Sequence, residues 1–134
     1  MLLVDDHDFL RETLAEVVGA TPDLTVVGEC RDGSEVASAV RRLGPDVVVM
    51  DIRMGTSSGL QALRDLAREQ LTSRVVILTS APTETHRAAA ESLGAVGYLT
   101  KGGDAEGVFD AIRRVARGAT AWPEDAALAS RARG

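Results

Sequence analysis

Three acids, a hydroxyl and an ammonium stand where short apolar runs of this chain give out. Asp5 and Asp6 follow the run at residues 2–4, Asp51 follows 47–50, Thr79 follows 75–78 and Lys101 comes just after 96–99. If those runs are parallel strands, their carboxyl ends share one edge, and residues as far apart as positions 5 and 101 meet in one crevice. Three carboxylates gathered there would raise one another's pKa unless a cation intervened. Oxygen-only donors with places left for water suit Mg²⁺. Thr79 and Lys101 add a hydroxyl and a positive charge, which suits a phosphoryl group, since its transfer depends on positioning and on neutralising its equatorial oxygens. A carboxylate such as Asp51 can also attack phosphorus and become an aspartyl phosphate.

Such a site requires elements that bring it together, and the periodicity supplies them as a βα unit repeated five times. Residues 2–4, 25–29, 47–50, 74–78 and 95–99 are short and rich in Val, Ile and Leu, as parallel strands covered on both faces are. The second run is more polar and is expected at an edge. Between the runs the period becomes helical, in stripes such as Val36, Ala39, Val40 and Leu43, or Leu60, Leu63, Leu66 and Ala67. Leu10, Leu14, Val17 and Val18 make the first stripe; Ala105, Val108, Phe109, Ile112 and Val115 make the last. The segment 83–93 offers little apolar bulk, so its helix should be the least firmly packed.

Gly44-Pro45 and Gly94 suit helix ends, while Asp8, Thr83 and Asp104 suit helix starts, and Ser58 with Gln61 fits a capping box. Right-handed crossovers make the expected fold an α/β, flavodoxin-like doubly wound (βα)5 with a central parallel sheet in strand order 2-1-3-4-5. Strands 1 and 3 are then neighbours, which sets Asp5 and Asp6 beside Asp51. Residues 1–118 form the expected domain, with 119–134 a linker or C-terminal tail. The first strand is either abbreviated or begins upstream of Met1.

Composition limits the alternatives. A chain of 134 residues can bury one core without disulfides, and with one Trp, one Tyr and two Phe that core must be aliphatic. A net charge of -5 argues against a surface built to bind nucleic acid. The single cysteine, Cys30, has no internal disulfide partner and reads as a small core residue. No run approaches the roughly 18 apolar residues of a membrane span, and a cytoplasmic location is expected.

Through LLVDDH, VVVMDIRMG, VVILTS and GYLTK, residues 1–118 resemble the receiver domain of bacterial two-component response regulators. The resemblance implies that Asp51 is the phosphoacceptor, Asp6 a direct Mg²⁺ ligand, Asp5 a partner of the metal shell and the main-chain carbonyl of Arg53 a further ligand. It implies that Thr79 and Lys101 assist phosphoryl transfer, and that Thr79 and Tyr98 form a switch that alters the surface of the last two helices and last strand. The implied partners are a sensor histidine kinase and a second copy in a phosphorylation-dependent homodimer, with DNA reached only through an effector domain absent from this chain. The implied role is regulatory rather than enzymatic, although such a domain assists its own phosphorylation and dephosphorylation.

Departures from the common pattern include Gly55 after Met54, which loosens the phosphorylation loop, and Gly102 after Lys101. Gly102-Gly103 and RGATAWP resemble the NarL/FixJ type, in which a receiver precedes a helix-turn-helix. A receiver separated from its effector and a single-domain regulator both fit. Three rival readings are a degenerate receiver acting as a phosphorylation-independent interaction module, an aspartyl-phosphate phosphatase and a flavin-binding module. The phosphatase is disfavoured by Arg53, where a general acid is wanted, and the flavin module by the acids at 5, 6 and 8, which would repel a flavin phosphate.

Overall fold

The computed structural model describes residues 1–5, 24–54, 57–80, 82–101 and 105–122. Asp6, His7, the stripe from Leu10 to Val18, Gly55, Gly102, Gly103 and the tail from 123 onward lie outside these, as do the expected helix starts at Asp8 and Asp104. In chain order the elements are β1 (Leu2–Val4), β2 (Gly28–Cys30), a 3-10 turn (Gly33–Glu35), α1 (Val36–Leu43) and β3 (Val47–Met50). There follow β4 (Arg53–Met54), β5 (Ser57–Ser58), α2 (Gly59–Arg68), β6 (Arg74–Thr79), α3 (Glu84–Ser92), β7 (Gly97–Thr100) and α4 (Ala105–Ala116).

Five of these strands pair in parallel in the spatial order β2-β1-β3-β6-β7. Within the main sheet this is the expected 2-1-3-4-5 order of the flavodoxin-like fold. Alternate side chains of each strand face opposite ways. Leu2, Val4, Val48, Met50, Val75 and Ile77 therefore pack with Val36, Val40, Leu63 and Leu66 of α1 and α2, and with Ala90 of α3. Leu3, Val47, Val49, Val76 and Leu78 pack on the other side with Phe109, Ile112 and Val115 of α4. Both layers are aliphatic, as the shortage of aromatic residues requires.

The limits of the elements differ from the sequence pattern where local bonds compete. β2 begins at Gly28 rather than at 25, because the parallel register with β1 starts at Leu2 and Gly28, while residues 25 and 27 meet only the first residue of the chain, through the Thr25 carbonyl and the Val27 N–H. Val27 is exposed, in keeping with an edge strand. β7 starts at Gly97 rather than at 95, since the Ala95 N–H closes the end of α3 by donating to the Ala90 carbonyl at 2.9 Å. Gly44 ends α1 with φ 58°, and Gly94 follows α3 with φ 101°. Thr83 caps α3 by accepting from the His86 N–H at 3.1 Å, and Ser58 caps α2 by accepting from the Leu60 N–H at 3.1 Å. The Gln61 amide is turned to Asp65 at 3.1 Å, so the capping-box partner of Ser58 serves the helix surface instead. Among the described helices α3 is the least buried, as expected, with only Ala90 buried along its length.

Two features go beyond the repeated βα pattern. β4 and β5 form a small antiparallel hairpin, pairing Arg53 with Ser58 and Met54 with Ser57. Residues 119–122 return to the outer edge of the sheet, where Ala121 forms a parallel bridge with Gly97.

Candidate phosphoryl-accepting site

The ladder of the sheet continues one residue beyond the strands, and that continuation fixes the site. The Asp5 N–H donates to the Cys30 carbonyl at 3.0 Å, the Asp51 N–H to the Val4 carbonyl at 3.0 Å, and the Lys101 N–H to the Thr79 carbonyl at 2.8 Å. Main-chain bonds thus hold Asp5, Asp51 and Lys101 at the carboxyl edge before any side-chain contact is considered.

The side chains converge from there. Lys101 Nζ lies 2.7 Å from Asp51 Oδ2 and 2.8 Å from Asp5 Oδ2. Both are ion pairs; the contact to Asp51 is also aligned as a hydrogen bond, and the one to Asp5 is not. The carboxylate side chains are each 5% exposed and the lysine 13%, so the triad is largely withdrawn from water. Burial opposes the charge on Lys101, but the combined pull of Asp5 and Asp51 outweighs it and raises its pKa above the ordinary lysine value. A raised lysine value contributes fully below the unfolded pKa of about 10.4 and is lost only as pH climbs through the higher folded value. The ammonium is therefore constant across the neutral range.

Thr79 is buried at the end of β6, and its register partner Thr100 immediately precedes Lys101. Tyr98, one residue after Gly97 on β7, is also buried. Its hydroxyl accepts from the Thr83 N–H at 3.2 Å and faces the Thr83 carbonyl, to which it donates, at 3.4 Å. The backbone of Arg53 lies in β4, two residues after Asp51. Asp6, expected to bind metal, is outside the described residues. Cys30 is a core residue, and burial, with Glu35 adding to it, pushes its thiol up to about 11.

Gly59 is a positioning residue that the spacing of the polar groups does not reveal. Its N–H donates to the Ile52 carbonyl at 2.7 Å, and a Cβ at this position would lie 2.3 Å from the Asp51 carbonyl oxygen and 3.0 Å from Ile52 Cα. The start of α2 therefore presses on the backbone that carries Asp51. The available signal was a glycine opening a helix, where propensity disfavours it.

Two expectations follow from this geometry. In a helix Gly→Ala would gain about 1 kcal/mol from propensity, yet Gly59→Ala should lower stability in urea unfolding, because the backbone at Asp51 must move; a stabilised variant would contradict the close approach. Lys101→Met leaves two buried carboxylates without their cation and should cost about 3 kcal/mol at neutral pH. The deficit should show as a lower midpoint in urea unfolding at neutral pH; an unchanged midpoint would show that the lysine does not offset the buried charge of its partners.

The comparisons with known proteins agree with this architecture. A family model described as the response regulator receiver domain matches residues 1–113. The chain is 39% identical over 116 residues to the transcriptional regulatory protein YxjL of Bacillus subtilis (strain 168), covering 87% of this chain and 53% of that protein. It is 36% identical over 118 residues to the transcriptional regulatory protein LiaR of the same organism, covering 88% and 56%. The chain thus spans about half the length of the curated relatives it matches. A crystal structure of a LuxR-family two-component response regulator from Aurantimonas sp. SI85-9A1 superposes with a TM-score of 0.86 at 31% identity, covering 98% of this chain and 95% of that one. With its parallel sheet, its buried strand-end acids and the match over residues 1–113, this chain belongs to the response regulator receiver domain family.

Proposed function

We propose that Asp51 accepts a phosphoryl group from a sensor histidine kinase, and that this event switches an output surface of the receiver. The observation that carries the proposal is the pairing of buried Asp51 with Lys101 at 2.7 Å on the carboxyl edge of the sheet. One oxygen of Asp51 would attack phosphorus as the bond to the phosphohistidine nitrogen breaks. The histidine would leave with the electron pair of that bond and later take up a proton, and the product is an acyl phosphate. Lys101, already within reach of Asp51, would pair with an oxygen of the transferred group, and the Thr79 hydroxyl would approach from the end of β6. Inward movement of that hydroxyl would allow Tyr98 to repack.

Among the described residues, no group of three or more His, Cys, Asp and Glu side chains could hold a metal ion. The donor chemistry nonetheless fits Mg²⁺. Among the described residues, two buried carboxylates gather beside the Lys101 ammonium, and their oxygens are hard donors of the kind Mg²⁺ takes. Asp5, Asp51, the Arg53 carbonyl and Asp6 are the groups that would hold it. Bound there, the ion would supply Lewis-acid neutralisation of phosphoryl oxygens.

The role is regulatory, in keeping with a regulatory rather than catalytic family. The curated relatives are named as transcriptional regulatory proteins, which supports an output in transcription; control of DNA binding through an effector domain and homodimer formation on phosphorylation are what the family resemblance adds to the proposal. No helix among the described residues is long and apolar enough to cross a membrane.

Incubated with acetyl phosphate and Mg²⁺, the protein should gain one base-labile phosphoryl group by intact mass, and Asp51→Asn should abolish the gain. Full labelling of the variant would refute Asp51 as the acceptor.

A further inference from the structure

Residues 119–122 hold to the domain more firmly than a linker requires. Gly118 turns the chain out of α4 with φ 99°, and the Ala119 N–H donates to the Arg114 carbonyl at 2.9 Å. Arg114 Nη2 then donates to the Thr120 carbonyl at 3.2 Å. At the edge of the sheet the Ala121 N–H donates to the Val96 carbonyl at 2.9 Å, and the Ala121 carbonyl accepts the Tyr98 N–H at 3.0 Å. A Cβ at Gly97 would lie 3.1 Å from both the Cβ and the carbonyl oxygen of Ala121, so the absence of a side chain at 97 permits the close approach.

The strap also alternates like a strand. Ala121 is buried in the layer under α4, and Trp122 packs against the opposite layer, the one that contains Tyr98 and Ala90 of α3. The Arg87 guanidinium lies 5.2 Å from the centroid of the Trp122 ring. Arg87 is fixed in turn by Glu84 at 3.5 Å and Glu91 at 3.4 Å.

Tyr98 touches both ends of this arrangement. Its N–H holds the strap through Ala121, and its hydroxyl holds the start of α3 through Thr83. The Thr83 carbonyl that faces the Tyr98 hydroxyl also accepts the Arg87 N–H at 3.0 Å. A change at the Tyr98 hydroxyl is therefore one helical turn from the cation that covers Trp122. α3 buries only Ala90, so little apolar packing resists a shift of that turn.

From these contacts we infer that the outer edge of β7 and the face of α3 form a docking site for the chain's own segment 119–122, with Trp122 clasped by Arg87. Docking depends on where Tyr98 lies, so the strap carries the state of the receiver to the chain beyond residue 122. The link to phosphorylation rests on the function proposed above, whereas the docking and its dependence on Tyr98 do not.

Trp122 is the single tryptophan of the chain, which makes its fluorescence a specific reporter. In the full 134-residue protein, Arg87→Ala should raise acrylamide quenching of Trp122 and shift its emission to the red, with unchanged far-UV circular dichroism. Loss of the cation–π contact should increase the undocked population about two- to fivefold. Tyr98→Leu, which keeps apolar bulk and removes the hydroxyl, should move quenching in the same direction. Unchanged quenching in Arg87→Ala overturns the docking, and unchanged quenching in Tyr98→Leu overturns its dependence on Tyr98. With acetyl phosphate and Mg²⁺, a mass gain accompanied by altered Trp122 quenching supports the link to phosphorylation. A mass gain with constant quenching overturns that link and leaves the proposed function standing. Absence of any mass gain refutes the proposed function, and with it the phosphorylation link, while the two variants still decide the strap.

Discussion

Two carboxylates buried beside one ammonium are the constraint on which the site depends. Removing ions from water costs several kcal/mol each, and such a group persists only where geometry and partners offset that cost. Here the offset begins in the backbone. Asp5, Asp51 and Lys101 each add one bond to the parallel ladder past the last strand residue, so the sheet fixes their positions. Lys101 then stands within 2.8 Å of both acids. Among the described residues, this sets two carboxylates, each 5% exposed, beside one ammonium at the carboxyl edge.

The sheet also shows why small residues matter as much as charged ones. Gly59 lets α2 begin against the carbonyl of Asp51, and Gly97 lets residue 121 lie against β7. Each permits a close approach that a methyl group would obstruct, one behind the candidate acceptor and one at the outer edge. Between them, Tyr98 joins the sheet edge to the lightly packed α3. The candidate acceptor thus follows a fully buried strand, while the outer surface includes α3, which buries only Ala90.

The sequence made the main sheet and the convergence at its edge legible for a simple reason. Nearly uninterrupted Val, Ile and Leu runs identify strands buried on both faces, and a polar residue directly after such a run can only fall at the strand end. This is why Asp51 and Lys101 could be placed together across fifty positions. The hairpin of β4 and β5 was not legible, because Arg53, Met54, Ser57 and Ser58 have no alternating apolar pattern. Nor was the bridge at Ala121, since an alanine in an Ala-rich stretch has no strand signature and pairs only because Gly97 leaves room. Strand limits shifted where a neighbouring helix claimed a backbone group, as at Ala95. Asp6 lies outside the described residues; its place in the acidic cluster follows from the run that ends at Val4, and its role as a metal ligand from the family resemblance.

The central claim is that Asp51, and not Asp5 on the other side of the Lys101 ammonium, is the carboxylate that becomes phosphorylated. Borohydride reduces an acyl phosphate to the corresponding alcohol, so protein treated with phosphodonor, reduced and digested can be searched by tandem mass spectrometry for the converted residue. The account predicts conversion of aspartate to homoserine at position 51 and at no other acid. Conversion at Asp5 or Asp6 with residue 51 intact would contradict it.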